Sequence, residues 1–179
     1  IIDAAGKPSN ADCPWIPAGP DEFPYPAYHL LSHNEHICLS TSRGCPFSCS
    51  FCTIINVQGR KMRERSPASI AAMMRRNLEN GLSFYFFTDD NFARNKNWEA
   101  IFDTLIRLRD EEHIPVKFMM QVDVLSWKIK NFVAKAHLAG CQTVFIGMES
   151  VNTENLKGAG KTQNHVDEYS QLIEAYRSA

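Results

Sequence analysis

The sequence predicts an α/β fold: a partial, TIM-like (β/α) barrel of parallel strands with about four strand–helix units. Three observations carry that expectation. From His36 onward, apolar runs of strand length alternate with amphipathic runs of helix length. The strand text is almost continuously apolar, as in SFYFFT at Ser83–Thr88, which points to parallel pairing between covered faces. Polar residues then recur just after the strands, the end at which β/α barrels place their chemistry. A flavodoxin-like open sheet is the alternative, and its ligand site would lie at the same edge.

The elements are justified in chain order. Residues 1–35 carry six of the nine prolines, Pro8, Pro14, Pro17, Pro20, Pro24 and Pro26. Proline fixes φ and removes a donor, so this segment reads as a linker or arm. Phe23, Tyr25, Tyr28, Leu30 and Leu31 give it anchors, which favours an arm docked on the domain surface over a free tether. A core domain is expected over residues 36–179, opening with a strand at His36–Thr41. Ser66 caps a helix with Pro67 at its first position; Ile70, Met73, Met74 and Leu78 recur on one face until Asn80-Gly81 stops it. The strand Ser83–Thr88 ends in Asp89-Asp90-Asn91. Trp98, Ile101, Phe102, Leu105 and Leu108 form the stripe of the next helix, closed by His113 and Pro115. A strand at Val116–Val122 carries Gln121 and, just beyond, Asp123. Ser126 is expected to cap a third helix, with Ile129, Phe132, Val133 and Ala136 inward and Gly140 at its end. Thr143–Gly147 reads as the fourth strand, followed by Glu149 and a loop with Asn152. A last helix is expected from about Asn164, with Val166, Tyr169, Ile173 and Tyr176 facing the core.

Bulk composition bounds the function classes. The 179 residues are 44% apolar, enough for one sizeable core. Lys and Arg total 19 against 20 for Asp and Glu, so the chain shows no clear nucleic-acid footprint. Its longest apolar stretches fall far below a membrane span, and no cleavable leader precedes them, so a soluble protein is expected and, with a reduced cluster, a cytoplasmic one. The chain starts at Ile1 and stops within helical text at Arg177-Ser178-Ala179, so truncation at both ends is expected.

The densest chemical signal is Ser42-Arg43-Gly44-Cys45-Pro46-Phe47-Ser48-Cys49-Ser50-Phe51-Cys52, a C-x3-C-x2-C run directly after the first strand. Three thiolates so close can hold an iron–sulfur cube and leave its fourth iron open to a small ligand. A structural zinc site would need a fourth Cys or His, and His29, His33 and His36 stand at no finger-like spacing. A disulfide framework is disfavoured because Cys13, Cys38 and Cys141 are scattered; Cys38 and Cys141 read as small core residues. A ferredoxin would supply four cysteines per cluster. A non-enzymatic binding module stabilised by zinc or an iron–sulfur group is the alternative function. Arg60, Lys61, Arg63 and Arg65 form one basic cluster, read as a solvated loop or as a seat for a phosphate or carboxylate.

The cysteine spacing, with an aromatic before the last Cys, resembles the signature of the radical S-adenosylmethionine (SAM) superfamily. The stretches CTIINVQGRKMRERSP, FFTDDNF and FIGMESVNTENLKGAGKTQN together resemble its cobalamin-binding group, over roughly residues 13–179. The resemblance implies a [4Fe–4S] cluster on Cys45, Cys49 and Cys52, with SAM chelating the open iron and reductively cleaved to a 5′-deoxyadenosyl radical. It also implies that Phe51 lies beside the adenine, that Asp89 and Asp90 meet the SAM amino group, and that Glu149 and Gln121 reach its ribose or methionyl part. One of the two aspartates is expected to cap the following turn instead. The likeness further implies cobalamin-assisted methyl transfer to a small-molecule substrate, with cobalamin held by a domain not in this chain, and an external electron donor of flavodoxin or ferredoxin type. No Asp-x-His-x-x-Gly cobalamin loop occurs.

Overall fold

The computed structural model describes residues 19–23, 25–26 and 37–179. His36, Tyr28, Leu30 and Leu31 lie outside the described residues, so the first strand is seen from Ile37 and the arm only in part.

The chain runs through β1 (Ile37–Leu39), β2 (Ser42–Arg43), α1 (Ile54–Val57), β3 (Arg63–Glu64), α2 (Pro67–Glu79) and β4 (Phe84–Phe87). It continues through α3 (Trp98–Asp110), β5 (Lys117–Val122), α4 (Phe132–Ala139), β6 (Cys141–Ile146), α5 (Thr153–Gly158) and α6 (Tyr169–Arg177). Four strands form a parallel sheet in the order β1-β4-β5-β6, joined by crossovers containing α2, α3 and α4. This is the expected α/β partial barrel. Its registers pair Leu39 with Phe87, Phe87 with Met120, and Val122 with Ile146. All four strands therefore end toward the same edge.

Local chemistry fixes the helices. The Ser66 hydroxyl accepts from the Ser69 amide at 3.1 Å and Pro67 opens α2, satisfying one orphan donor and presetting φ. Ile70, Ala71, Met73 and Met74 then face inward. Ile101, Phe102, Leu105 and Leu108 do the same on α3. Between sheet and helices lies an aromatic layer: Phe87 stacks on Phe118 at 4.5 Å, and Phe102 meets Phe92 at 5.1 Å and Phe132 at 5.3 Å. Such pairs add to the burial of their large apolar area.

The apolar strands are not covered alike on both faces. Tyr85, Phe87, Phe118, Met120 and Val122 are buried under the helices, while Phe84, Phe86, Met119 and Gln121 are only half-buried on the other side. That second face is the concave interior of the partial barrel, open enough to admit a ligand. Cys38, expected in the core, points to it and is exposed, since Ile37 and Leu39 take the covered positions.

Three segments differ from the sequence expectation. Ser126 does not cap α4: it lies in a single 3-10 turn, Ser126–Lys128, fully buried with its hydroxyl accepting from Tyr176 at 2.8 Å. The helix begins after Asn131, whose φ of 64° reverses the chain. The loop expected around Asn152 contains the short helix α5, which Asn152 caps by accepting from the Asn155 amide at 3.0 Å. The last helix starts only at Tyr169, after a 3-10 turn at Val166–Glu168; Tyr169 and, three residues on, Leu172 are buried, while Ile173 is exposed.

The described part of the arm lies on α2. Asp21 accepts from the Ser66 amide at 3.0 Å, Tyr25 donates to Asn77 Oδ1, and the Arg76 guanidinium stacks 3.9 Å from the Tyr25 ring centroid. No helix among the described residues is long and apolar enough to cross a membrane.

Two outcomes test this packing. Phe102→Ala should destabilise the protein by about 3–5 kcal/mol in urea unfolding, whereas Phe145→Ala, at an exposed position, should stay within about 0.5 kcal/mol. Burial pushes the Cys141 thiol up to about 12, so alkylation near pH 8 followed by peptide mapping should label Cys38 early and Cys141 last.

Candidate active site

The cysteine loop is a detour of the chain held at both ends. β2 and β3 pair antiparallel, Ser42 opposite Glu64 and Arg43 opposite Arg63, and close the segment between them into one excursion. Gly44 starts it with φ +104°, and a Cβ there would stand 2.7 Å from the Lys61 carbonyl oxygen; only glycine fits. The Cys45 amide donates to Gly59 O at 3.2 Å, and the Cys52 amide to Cys49 O at 3.2 Å, which folds the second pair of cysteines into a turn.

Cys45, Cys49 and Cys52 line one solvent-open cavity of about 150 Å³. Burial pushes the Cys45 thiol up, bonds from the Phe47 amide and the Asn91 side chain oppose this, and the neighbouring sulfurs of Cys49 and Cys52 add to it. Among the described residues no three His, Cys, Asp or Glu side chains sit together as ligands of a single ion. The thiols instead ring a shared space.

The two aspartates after β4 divide. Asp89 is fully buried and does not line the cavity; its carboxylate accepts from the Thr41 amide at 2.6 Å, the Thr41 hydroxyl at 2.5 Å and the Ser42 hydroxyl at 2.5 Å. Burial raises its pKa, opposed by those bonds from Ser42 and Thr41. Asp89 is thus a structural tie from the end of β4 to Thr41 and Ser42. Asp90 does line the cavity, and its Oδ2 accepts from the Gly44 amide at 2.8 Å.

Gln121, Glu149 and Phe51 also reach this space. Gln121 Nε2 donates to the Asp89 carbonyl at 3.3 Å, which steadies its side chain beside Asp90. Glu149 sits at φ 59°, a left-handed conformation that costs a non-glycine residue about 1 kcal/mol. It is held by Lys161, whose Nζ donates to Glu149 Oε1 at 2.8 Å and Gly147 O at 2.9 Å. The same ammonium lies 6.0 Å from the centroid of the exposed Phe51 ring. Asp123, seen from sequence only as a rim residue, is a buried hub: Arg94 meets it through Nε at 2.6 Å and Nη2 at 2.8 Å, Asn91 Nδ2 at 2.9 Å, and the Leu125 amide at 2.7 Å.

Asn91, expected at the rim beside the two aspartates, lines the same cavity, as do Lys161 and Gln163, to which the sequence assigns no role. Gly158-Ala159-Gly160 ahead of Lys161 signals a turn, but the residue that Gln163, just past it, meets is Cys49, 114 positions away. Local sequence carries no trace of such a pairing.

A family model described as Radical SAM superfamily matches residues 39–179. An uncharacterized methyltransferase of Synechocystis sp. is 32% identical over 148 residues, covering 79% of this chain and 27% of that protein. The bacteriochlorophyllide d C-8(2)-methyltransferase of Chlorobaculum tepidum is 29% identical over 156 residues, covering 81% of this chain and 33% of the relative. Among solved structures, the radical S-adenosylmethionine methyltransferase TsrM from Kitasatospora setae, with cobalamin and a [4Fe–4S] cluster bound, superposes with a TM-score of 0.69 at 19% identity. That match covers 80% of this chain and 29% of TsrM, and shows a common fold. The chain thus spans a third or less of the length of these proteins.

The division of labour between the aspartates is testable by urea unfolding. Asp89→Ala strands three buried donors and should cost about 3 kcal/mol or more, while Asp90→Ala removes one half-buried bond and should cost about 1 kcal/mol.

Proposed function

We propose that this chain, which belongs to the radical SAM superfamily, is the cluster-bearing part of a methyltransferase that works on a small-molecule substrate. The observation that carries the reading is the cavity itself: three thiols from one loop, with a carboxylate, an amide and an aromatic ring, open at the C-terminal edge of parallel strands. Three sulfur donors fit three corners of an iron cube and leave one iron for another ligand. The methyltransferase relatives support the reaction class.

Cys45, Cys49 and Cys52 would hold a [4Fe–4S] cluster, which with SAM bound would supply one-electron reductive cleavage of SAM to a 5′-deoxyadenosyl radical. The residues of this chain bind and orient. Asp90 offers its carboxylate to the SAM ammonium, while Asp89 behind it holds the wall in place. Phe51 gives an apolar face for the adenine. Gln121 and Glu149 supply polar groups for the ribose or methionyl part, with Lys161 fixing the direction of Glu149. Residues 1–35 act as a linker or arm and residues 36–179 as part of the radical SAM core. Cobalamin assistance follows from likeness to TsrM, with the corrinoid held by a part of the protein outside these residues. The electron comes from a flavodoxin- or ferredoxin-type donor in the reducing cytoplasm.

Anaerobic reconstitution should give a brown protein with about four irons per chain, and Cys49→Ala should lose most of it. Adding SAM should change the EPR spectrum of the reduced cluster, and Asp90→Ala should weaken that response about tenfold in SAM concentration. Stoichiometric zinc with no iron uptake would sink the reading and leave a metal-stabilised binding module in its place.

A further inference from the structure

We infer that Gln163 is a positioning residue of the cluster site: its side-chain amide donates a hydrogen bond to the Cys49 sulfur and thereby raises the reduction potential of the cluster. This rests on the reading of Cys45, Cys49 and Cys52 as cluster ligands.

Gln163 Nε2 stands 3.9 Å from Cys49 Sγ, and both residues are almost withdrawn from water, 9% and 8% exposed. A sulfur acceptor is large and its bonds are long, so this separation is a contact rather than a gap. The amide is aimed by its neighbours. The Ser50 amide donates to Ala159 O at 3.0 Å. Gly160, at φ +67°, lies so near the cysteine loop that a Cβ would stand 3.3 Å from Ser48 O. On either side of Gln163, Lys161 is tied to Gly147 O, and Asn164 Nδ2 donates to Gly147 O at 3.1 Å and Met148 O at 2.9 Å. The segment is thus clamped at once to the cysteine loop and to the turn after β6. Gln163 has little freedom to point elsewhere.

The electrostatic consequence has a definite sign. Reduction adds one negative charge that spreads over the cluster and its thiolates, and an N–H dipole aimed at a sulfur stabilises the reduced form more than the oxidised one. Low local dielectric strengthens that preference. Cys49 is the most buried of the three cysteines, so its sulfur has the least water to compete with the amide.

The test is a potentiometric titration of the anaerobically reconstituted protein with low-potential mediators, read by EPR of the reduced cluster. The unaltered protein should have the highest midpoint potential, Gln163→Leu a lower one, and Gln163→Glu the lowest, because a carboxylate places negative charge where the donor stood. Iron content is measured alongside, and so is the melting temperature, since a merely structural role would move the latter and leave the potential in place. Should Gln163→Leu take up no iron, Gln163→Met, unbranched, of similar length and without a donor, gives the same comparison. Equal midpoint potentials at equal iron content would overturn the role of Gln163 and leave the cluster reading standing. Failure of the unaltered protein to take up iron would overturn both.

Discussion

The position of the cysteine loop depends on one buried carboxylate. Asp89 stands just past the end of β4 and takes three hydrogen bonds from Thr41 and Ser42, where the chain leaves β1 and enters β2. Withdrawing a carboxyl from water is costly, and burial accordingly raises its pKa; three protein donors offset the lost hydration. The result is a fixed joint between two neighbouring parallel strands. Gly44 follows two residues after Ser42 and donates to Asp90, so the loop is set against the sheet edge by two adjacent carboxylates with different duties.

The opposite wall of the cavity is built by a second joint. Asp123, beyond β5, gathers Arg94 and Asn91 from the turn after β4. Phe47, in the cysteine loop, has its ring centroid 5.7 Å from the Arg94 guanidinium, which links this ion pair to the loop. Lys161 and Asn164 then close the turn after β6 onto the same space. A parallel sheet delivers all its strand ends to one edge, and side-chain bonds between successive turns convert that edge into a cavity.

Much of this frame was legible in the sequence, and the exceptions have physical causes. The Ser66-Pro67 cap and the stripes of α2 and α3 were readable because capping and helical period act within a few residues. The Ser126 cap is not formed, and the cause is equally local: a serine before an apolar run looks alike whether its hydroxyl meets a nearby amide or, as here, Tyr176 from 50 positions away. Leu172 and Ile173 stand three and four residues after the buried Tyr169, and helical period alone allows either to face inward; packing beside Tyr169 and Val124 selects Leu172. Cys38 looked like core because apolar text does not say which face of a strand is covered.

The sequence by itself determined the α/β alternation, the three clustered cysteines and the family they belong to, since each is written in residues adjacent along the chain or repeated at a fixed period. The tertiary structure alone decided which carboxylate serves as a beam and which faces the cavity. Asp89 and Asp90 are chemically identical and consecutive, and neighbouring side chains of an extended segment point to opposite sides. Only the approach of Thr41, Ser42 and Gly44 distinguishes them. The same holds for Gln163, an unremarkable amide until folding brings the Cys49 sulfur to it.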